Sequence, residues 1–188
     1  MKKGTIVLLA VLAVIAVFVF SIFGSYNSLV ALDEDVNTQW ANVESKLQRR
    51  YDLIPNLVES VKGAMKQEQE VFGAIADARA RLAGAGSVSE NVEASNELEG
   101  ALSRLLVVVE NYPELKSNQN VTALMDELAG TENRISTERD RYNEVVRSYN
   151  STIRSFPKNI LAGMFGFEQR PYFEATDGAD VAPEVNFD

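Results

Sequence analysis

Four charged side chains fall where an apolar helical stripe would otherwise continue. Counting in steps of three and four residues along the second predicted helix places Glu68 and Arg79 on its apolar face. The same count along the fourth predicted helix places Glu132 and Arg139 there. A buried carboxylate needs a cationic partner, a bound ion or a proton. The four residues therefore form a candidate polar layer between helices.

Three interpretations of this polar layer fit the sequence. The side chains can reach water from the edge of the stripe, because long charged side chains extend past apolar neighbours. They can pair as a buried Glu–Arg layer that fixes the register of the helices. They can also bind an ion or ligand. Since di-metal centres between bundle helices ordinarily use histidine, an oxygen-ligated cation such as Ca²⁺ is the form of metal site left open.

The composition argues against most other chemistry. The chain of 188 residues contains no Cys and no His, which removes thiolate nucleophiles, disulfides, cysteine zinc sites and the commonest general base. It carries no Gly-x-Ser-x-Gly motif, P-loop or dinucleotide-binding fingerprint. A net charge of −9, without a basic stripe, disfavours nucleic acid as a partner. We predict a protein without catalytic residues, metal or cofactor.

The elements that position these residues begin with an apolar amino-terminal stretch, residues 4–24. A helix of about 20 residues is about 30 Å long, which matches the hydrocarbon thickness of a bilayer. Lys2 and Lys3 precede the stretch and the first carboxylate after it is Asp33, so the positive-inside rule predicts a cytoplasmic amino terminus. A cleaved signal peptide is the alternative, but the stretch exceeds the usual apolar length of such peptides. We therefore predict a single-pass anchor in the cytoplasmic membrane, with the remainder on its outer side.

Apolar residues three and four apart predict four further helices. The first runs over about 25–51 and can continue the anchor as one rod. Pro55 marks the next joint, since the residue before proline avoids helical angles. Ser87 and Glu90 form a capping box that begins the third helix. The fourth begins after Asn118–Asn120 and runs to about Phe156, with its tyrosines in the core.

We predict an all-α fold: an N-terminal transmembrane helix followed by a long antiparallel up-down-up-down four-helix bundle. The predicted domains are the anchor over 1–24, the bundle over 25–156 and a C-terminal tail over 157–188. Part of the tail is expected to pack on the membrane-proximal base of the bundle, with the lipid interface as the alternative, and its last residues are expected to be disordered. The apolar residues of the tail are Ile160, Leu161, Met164, Phe165 and Phe167.

Several strings along the chain resemble the LemA family of bacterial membrane-associated proteins. The most specific are Arg-Arg-Tyr-Asp-Leu-Ile-Pro-Asn-Leu at 49–57 and Thr-Glu-Asn-Arg-Ile at 131–135. The other matching segments are Tyr26–Val30, Trp40–Glu44, Glu110–Lys116, Arg141–Asn150, Phe156–Pro157 and Phe173–Glu174. The resemblance implies a membrane segment, a long helical domain and no established enzymatic activity. It also implies a role in envelope maintenance or in association with membrane proteases, and it supplies no catalytic residues.

The function expected from the sequence is that of a non-catalytic envelope protein. It would scaffold or modulate a membrane or envelope protein partner, and a membrane protease system is one candidate partner. The alternative is a sensor or binding module that uses the polar layer between the helices.

Overall fold

The computed structural model describes residues 3–174, and the side chains at positions 3, 5–7, 10 and 18 lie outside that description. The described residues are helical throughout, apart from short connections and an extended end. The helices are α1 (Lys3–Lys62), α2 (Gln69–Gly84), α3 (Val88–Val109), α4 (Pro113–Lys116), α5 (Gln119–Arg154) and α6 (Lys158–Phe165). No strand occurs within residues 3–174, so the all-α prediction is confirmed. The disorder predicted for the last residues falls outside the described part.

The apolar stretch and the segment after it form one uninterrupted helix, as the sequence allowed. α1 is long and apolar enough at its beginning to cross a membrane, judged by length and composition. Described side chains of the stretch, such as Val14, Val17 and Phe20, are exposed. Nearly all described side chains in this part of α1 are therefore exposed in the structure.

The predicted joint at Pro55 is wrong. α1 continues through Pro55 to Lys62, and the chain turns only over residues 63–68. A proline inside a helix costs about 3 kcal/mol. Ile54, Leu57 and Val61 are all fully buried on either side of it, and burial of each such side chain contributes about 1.5–3 kcal/mol. The free energy gained by burying these side chains thus exceeds the cost of placing proline inside the helix.

The predicted start of α3 is confirmed. The Ser87 hydroxyl accepts a hydrogen bond from the Glu90 backbone N–H at 3.2 Å. The Glu90 carboxylate accepts hydrogen bonds from the backbone N–H groups of Ser87 and Gly86. These reciprocal contacts satisfy donors that the first turn of a helix leaves open.

The described chain forms two compact units. The amino-terminal unit comprises residues 3–41 and 141–170, and the hairpin unit comprises residues 42–140 and 171–174. In the amino-terminal unit, Tyr142 and Tyr149 are buried as predicted, and the Trp40 and Tyr142 rings meet edge to face with centroids 5.4 Å apart. Other buried residues of that unit are Leu29, Val36, Val146, Ile153 and Ala162.

The hairpin unit contains α2 and α3, which are joined by residues 85–87. Every helical segment in the unit contributes apolar residues to its core. The buried members are Ile54, Leu57, Val61, Met65, Ile75, Ala78, Leu98, Ala101, Leu102, Leu105, Val109, Leu115, Val121 and Leu128. This shared core positions the polar side chains described next.

Candidate functional site

The main polar site of the hairpin unit is centred on Arg50, whose side chain is 0% exposed. Its Nη1 donates to both carboxylate oxygens of Glu132 at 3.2 Å. Its Nη2 donates to the carbonyl oxygen of Ser95 at 3.2 Å and also to the Ser95 hydroxyl. Arg50 lies on α1, Ser95 on α3 and Glu132 on α5, so one guanidinium connects three helices. Its Nε is buried and lacks a hydrogen-bond partner among the described residues.

Glu132 forms the outer side of this site. Burial raises the pKa of Glu132, while the charge and hydrogen bond of Arg50 oppose that rise. Its carboxylate lines a cavity of about 130 Å³ between α3 and α5, together with Glu99. The negative charge of Glu99 raises the pKa of Glu132 further. The site is therefore a desolvated ion pair with one accessible edge.

The structure places the other predicted layer residues in separate contacts. Glu68 precedes α2, contrary to its predicted place within the second helix, and accepts a hydrogen bond from the Tyr112 hydroxyl at 3.3 Å. The Arg79 guanidinium lies 4.2 Å from the centroid of the Tyr51 ring, a cation–π arrangement.

Arg139 is the predicted layer residue that is coupled to Glu132. Its guanidinium lies 5.8 Å from the ring centroid of Phe173. Its charge also lowers the pKa of Glu132. Among residues 3–174, no group of three or more acidic side chains is arranged to hold a metal ion.

Sequence reasoning missed Arg50, although Arg50 lies within the first predicted helix. Continuing the spacing of Val43 and Leu47 by three residues reaches Arg50. The predicted polar layer took charged residues only from the second and fourth predicted helices, so the residue of the first helix that pairs with Glu132 was not counted.

A second polar cluster lies in the amino-terminal unit, around Arg170. Its Nη2 and Nε donate to Asp33 Oδ1 at 2.8 and 3.1 Å. The Asn150 side chain accepts from the Arg170 backbone N–H at 2.9 Å and donates to the Arg170 carbonyl oxygen at 2.8 Å. The hydrogen bond to Asp33 raises the pKa of Arg170, so the guanidinium stays charged. The cluster fastens the chain after α6 to α1 and α5.

A groove of about 1000 Å³ lies along α2 and α3 of the hairpin unit. Small residues contribute to it, including Ala74, Ala78 and Gly100. The extended residues 171–174 border it, and Asn96 Nδ2 donates to the carbonyl oxygen of Glu174 at 3.3 Å. Its charged lining residues are Asp77, Arg81, Glu93, Glu97, Arg104 and Glu174.

A family model described as the LemA family matches residues 39–187. The chain belongs to the LemA family. The matched range includes Arg50, Ser95 and Glu132 as well as the residues of the groove, whereas Asp33 of the second polar cluster lies before it. The resemblance read from short strings of the sequence is thus confirmed.

Curated relatives of this LemA-family chain include magnetosome proteins. MamQ 1 and MamQ 2 of Paramagnetospirillum magneticum are each 29% identical over 182 residues, covering 83% of this chain and 67% of theirs. MamQ of Magnetospirillum gryphiswaldense is 26% identical over 189 residues, covering 85% of this chain and 70% of its own. Protein LemA of Metamycoplasma hominis is 22% identical over 155 residues, covering 82% and 71%. None of these names denotes an enzyme.

Proposed function

We propose that this chain is a non-catalytic, membrane-anchored envelope protein that scaffolds or modulates partner proteins at the membrane. The observation that carries the proposal is the apolar beginning of α1. Residues 4–24 are long enough to cross a bilayer, and their described side chains are almost all exposed. An exposed apolar helix of this length is stable in lipid and unfavourable in water.

The proposed orientation follows from charge. Lys2 and Lys3 precede the apolar stretch, whereas Asp33, Glu34 and Asp35 follow it. The positive-inside rule then places the amino terminus in the cytoplasm and the helical domain on the outer side of the cytoplasmic membrane. We infer that four long helical segments of that domain form an antiparallel bundle, which is supported by the shared core of the hairpin unit.

The groove on α2 and α3 supports the partner-binding half of the proposal. Its small side chains let another backbone approach closely, and its charged residues of both signs offer pairing groups. Asn96 donates a hydrogen bond to the backbone carbonyl of Glu174 at one border, and the proposal assigns an extended partner segment contacts of the same type. A membrane protease system is one candidate source of that segment.

Site-specific crosslinking in intact cells tests the partner-binding proposal. A photo-crosslinking phenylalanine analogue is placed at position 93, which lines the groove, or at position 99, which lies outside it on the same helix. Both positions carry exposed glutamates, so neither change removes core packing. We expect protein adducts from position 93 and few from position 99. Equal labelling, or adducts with lipid alone, would count against a docked partner.

The anchor is tested separately by deletion of residues 4–24. We expect the full chain to stay in the membrane fraction under alkaline extraction and the deleted chain to become extractable. Release of the full chain by the same treatment would contradict the anchor without bearing on the groove.

A sensor or binding module built on the polar layer is the second candidate function. The observation that favours it is the accessible edge of Glu132, which lines a cavity with Glu99. A small bound solute could therefore reach the otherwise sealed pair with Arg50. Glu68, Arg79 and Arg139 would contribute only through their separate contacts.

Thermal unfolding with added cations tests the sensor or binding-module function separately from the scaffold function. A ligand that binds the folded state raises Tm in a saturable manner. If Ca²⁺ or another cation binds here, the rise should disappear in Glu132→Ala and persist in Glu127→Ala, a change on the same helix at a more exposed position. Absence of a shift with every cation would remove cation sensing as a function.

A further inference from the structure

α6 carries an exposed apolar face in the amino-terminal unit. Ile160 and Met164 lie four residues apart on α6, a spacing that repeats on one side of a helix, and Phe156 lies just before the helix begins at Lys158. Phe156 is 82% exposed and Met164 is 73% exposed. Phe165 adds a further half-exposed ring at the end of the helix. Within the described structure the side chains of Phe156, Ile160 and Met164 are each more than half exposed.

α6 packs against α1 directly after the apolar stretch. The ring centroids of Tyr26 and Phe165 are 4.7 Å apart, and those of Tyr26 and Phe167 are 6.1 Å apart. The Lys158 ammonium donates to the Ser28 hydroxyl at 3.0 Å. Tyr26 lies only about 4–5 Å of helix beyond Phe23, the last bulky residue of the stretch. α6 therefore lies at the level where the proposed membrane span ends.

The charge distribution around α6 matches a lipid boundary. The chain contains 27 Asp and Glu residues, yet none lies within 4–32 of α1 or within 155–167 around α6. Carboxylates resume just beyond, at Asp33 and Glu168, and Asp33 pairs with Arg170 at 2.8 Å. Asp33 is about 7–8 Å of helix from Ser28. Interfacial helices bury their apolar faces about 5–10 Å into the boundary between headgroups and acyl chains.

We propose that α6 is a second membrane contact, lying in the lipid interface beside the span with Ile160 and Met164 directed into the acyl chains. The proposal rests on the anchor proposed above. Lipid is the occupant because α6 packs against α1 just where the apolar stretch ends and lies in the same carboxylate-free zone. Two contacts with the bilayer would restrict rotation of α1 about its own axis, since interfacial anchors set helix tilt and rotation.

The absence of cysteine permits a direct test with the full chain. Met164→Cys, Val14→Cys and Val107→Cys each provide one labelling site for an environment-sensitive fluorophore, and all three side chains are more than half exposed. The labelled chains are placed in vesicles of phosphatidylcholine and phosphatidylglycerol. Quenching is measured with aqueous iodide and with lipids that carry a nitroxide at a shallow or a deep position. Circular dichroism verifies that each variant keeps its helix content.

We expect the probe at 164 to be quenched by shallow nitroxides and several-fold less by iodide than the probe at 107. The probe at 14 should respond to deep nitroxides. If the probe at position 14 is quenched by lipid nitroxides while iodide quenches the probe at 164 as strongly as the probe at 107, the role of α6 is overturned and the anchor stands. Shielding of the probe at 164 from both iodide and lipid nitroxides would also overturn the lipid contact of α6, because a protein would then cover its apolar face. Iodide quenching at 14 would overturn the anchor itself.

Discussion

At the scale of residues, two neighbouring arginines show how burial decides how much an ion pair contributes to folding stability. Arg49 and Arg50 are adjacent on α1, and each pairs with a glutamate of α5. The Arg49 side chain is 55% exposed, whereas that of Arg50 is 0% exposed. Water and salt screen the first pair, so it contributes little. The second is desolvated, and removal of one partner leaves a buried charge without compensation.

Arg50→Met should therefore lower the free energy of unfolding by about 3–5 kcal/mol. It removes the donors to Glu132 and Ser95 while keeping an apolar side chain of similar length. Arg49→Met is the matched control and should cost at most about 1 kcal/mol. Chemical denaturation of both variants measures the difference. Equal costs would mean that the buried network is not the stabilising feature.

The pair should also respond to pH. Because burial raises the pKa of Glu132 above its ordinary value, the folded state binds the proton more tightly than the unfolded state does. The stability contributed by the protonated form is complete below the ordinary glutamate pKa and is lost as pH rises through the folded pKa. The unfolding free energy of the parent chain minus that of Glu132→Gln should thus fall with rising pH. A difference that grows with pH would contradict the direction of the shift.

At the scale of elements, helix ends are set by local chemistry and helix continuity by packing. Ser87 and Glu90 begin α3 through reciprocal hydrogen bonds between neighbours in sequence. Pro55 should end a helix by local preference, yet α1 stays helical through it, with buried side chains on both sides. Sequence reasoning therefore finds caps reliably and misjudges a proline within a well-packed helix.

Ser87→Ala should destabilise the hairpin unit by about 1 kcal/mol, because the cap satisfies a donor at the start of α3. Ser103→Ala is the control on the same helix. Its hydroxyl donates only to the Glu99 carbonyl, which already lies within the helix, so little change is expected. Urea midpoints of the two variants provide the comparison. Equal midpoints would show that the capping box does not limit stability.

At the scale of the whole molecule, the distribution of charge separates the part proposed for lipid from the part proposed for water. Lysines precede the apolar stretch and carboxylates begin only at Asp33. The proposed topology requires that everything beyond the stretch be exported. The chain lacks cysteine, so a single introduced thiol reports its side of the membrane.

Val107→Cys should react with a membrane-impermeant maleimide in intact spheroplasts, since Val107 is exposed on α3. A cysteine inserted between Met1 and Lys2, which keeps both lysines at the other end of the proposed span, should react only after the membrane is opened. Labelling is read by the gel shift of a polyethylene glycol maleimide. The reverse pattern would place the helical domain in the cytoplasm and contradict the proposed orientation.

The sequence by itself determined the helical class, the apolar stretch, the capping box of α3 and the family. Each depends on residues a few positions apart or on strings that can be read directly. Only the tertiary structure decided which charges meet. Arg50 and Glu132 are separated by 82 residues, and Asp33 and Arg170 by 137. Such pairs form because packing brings distant segments together, and helical periodicity does not specify which distant segments will meet.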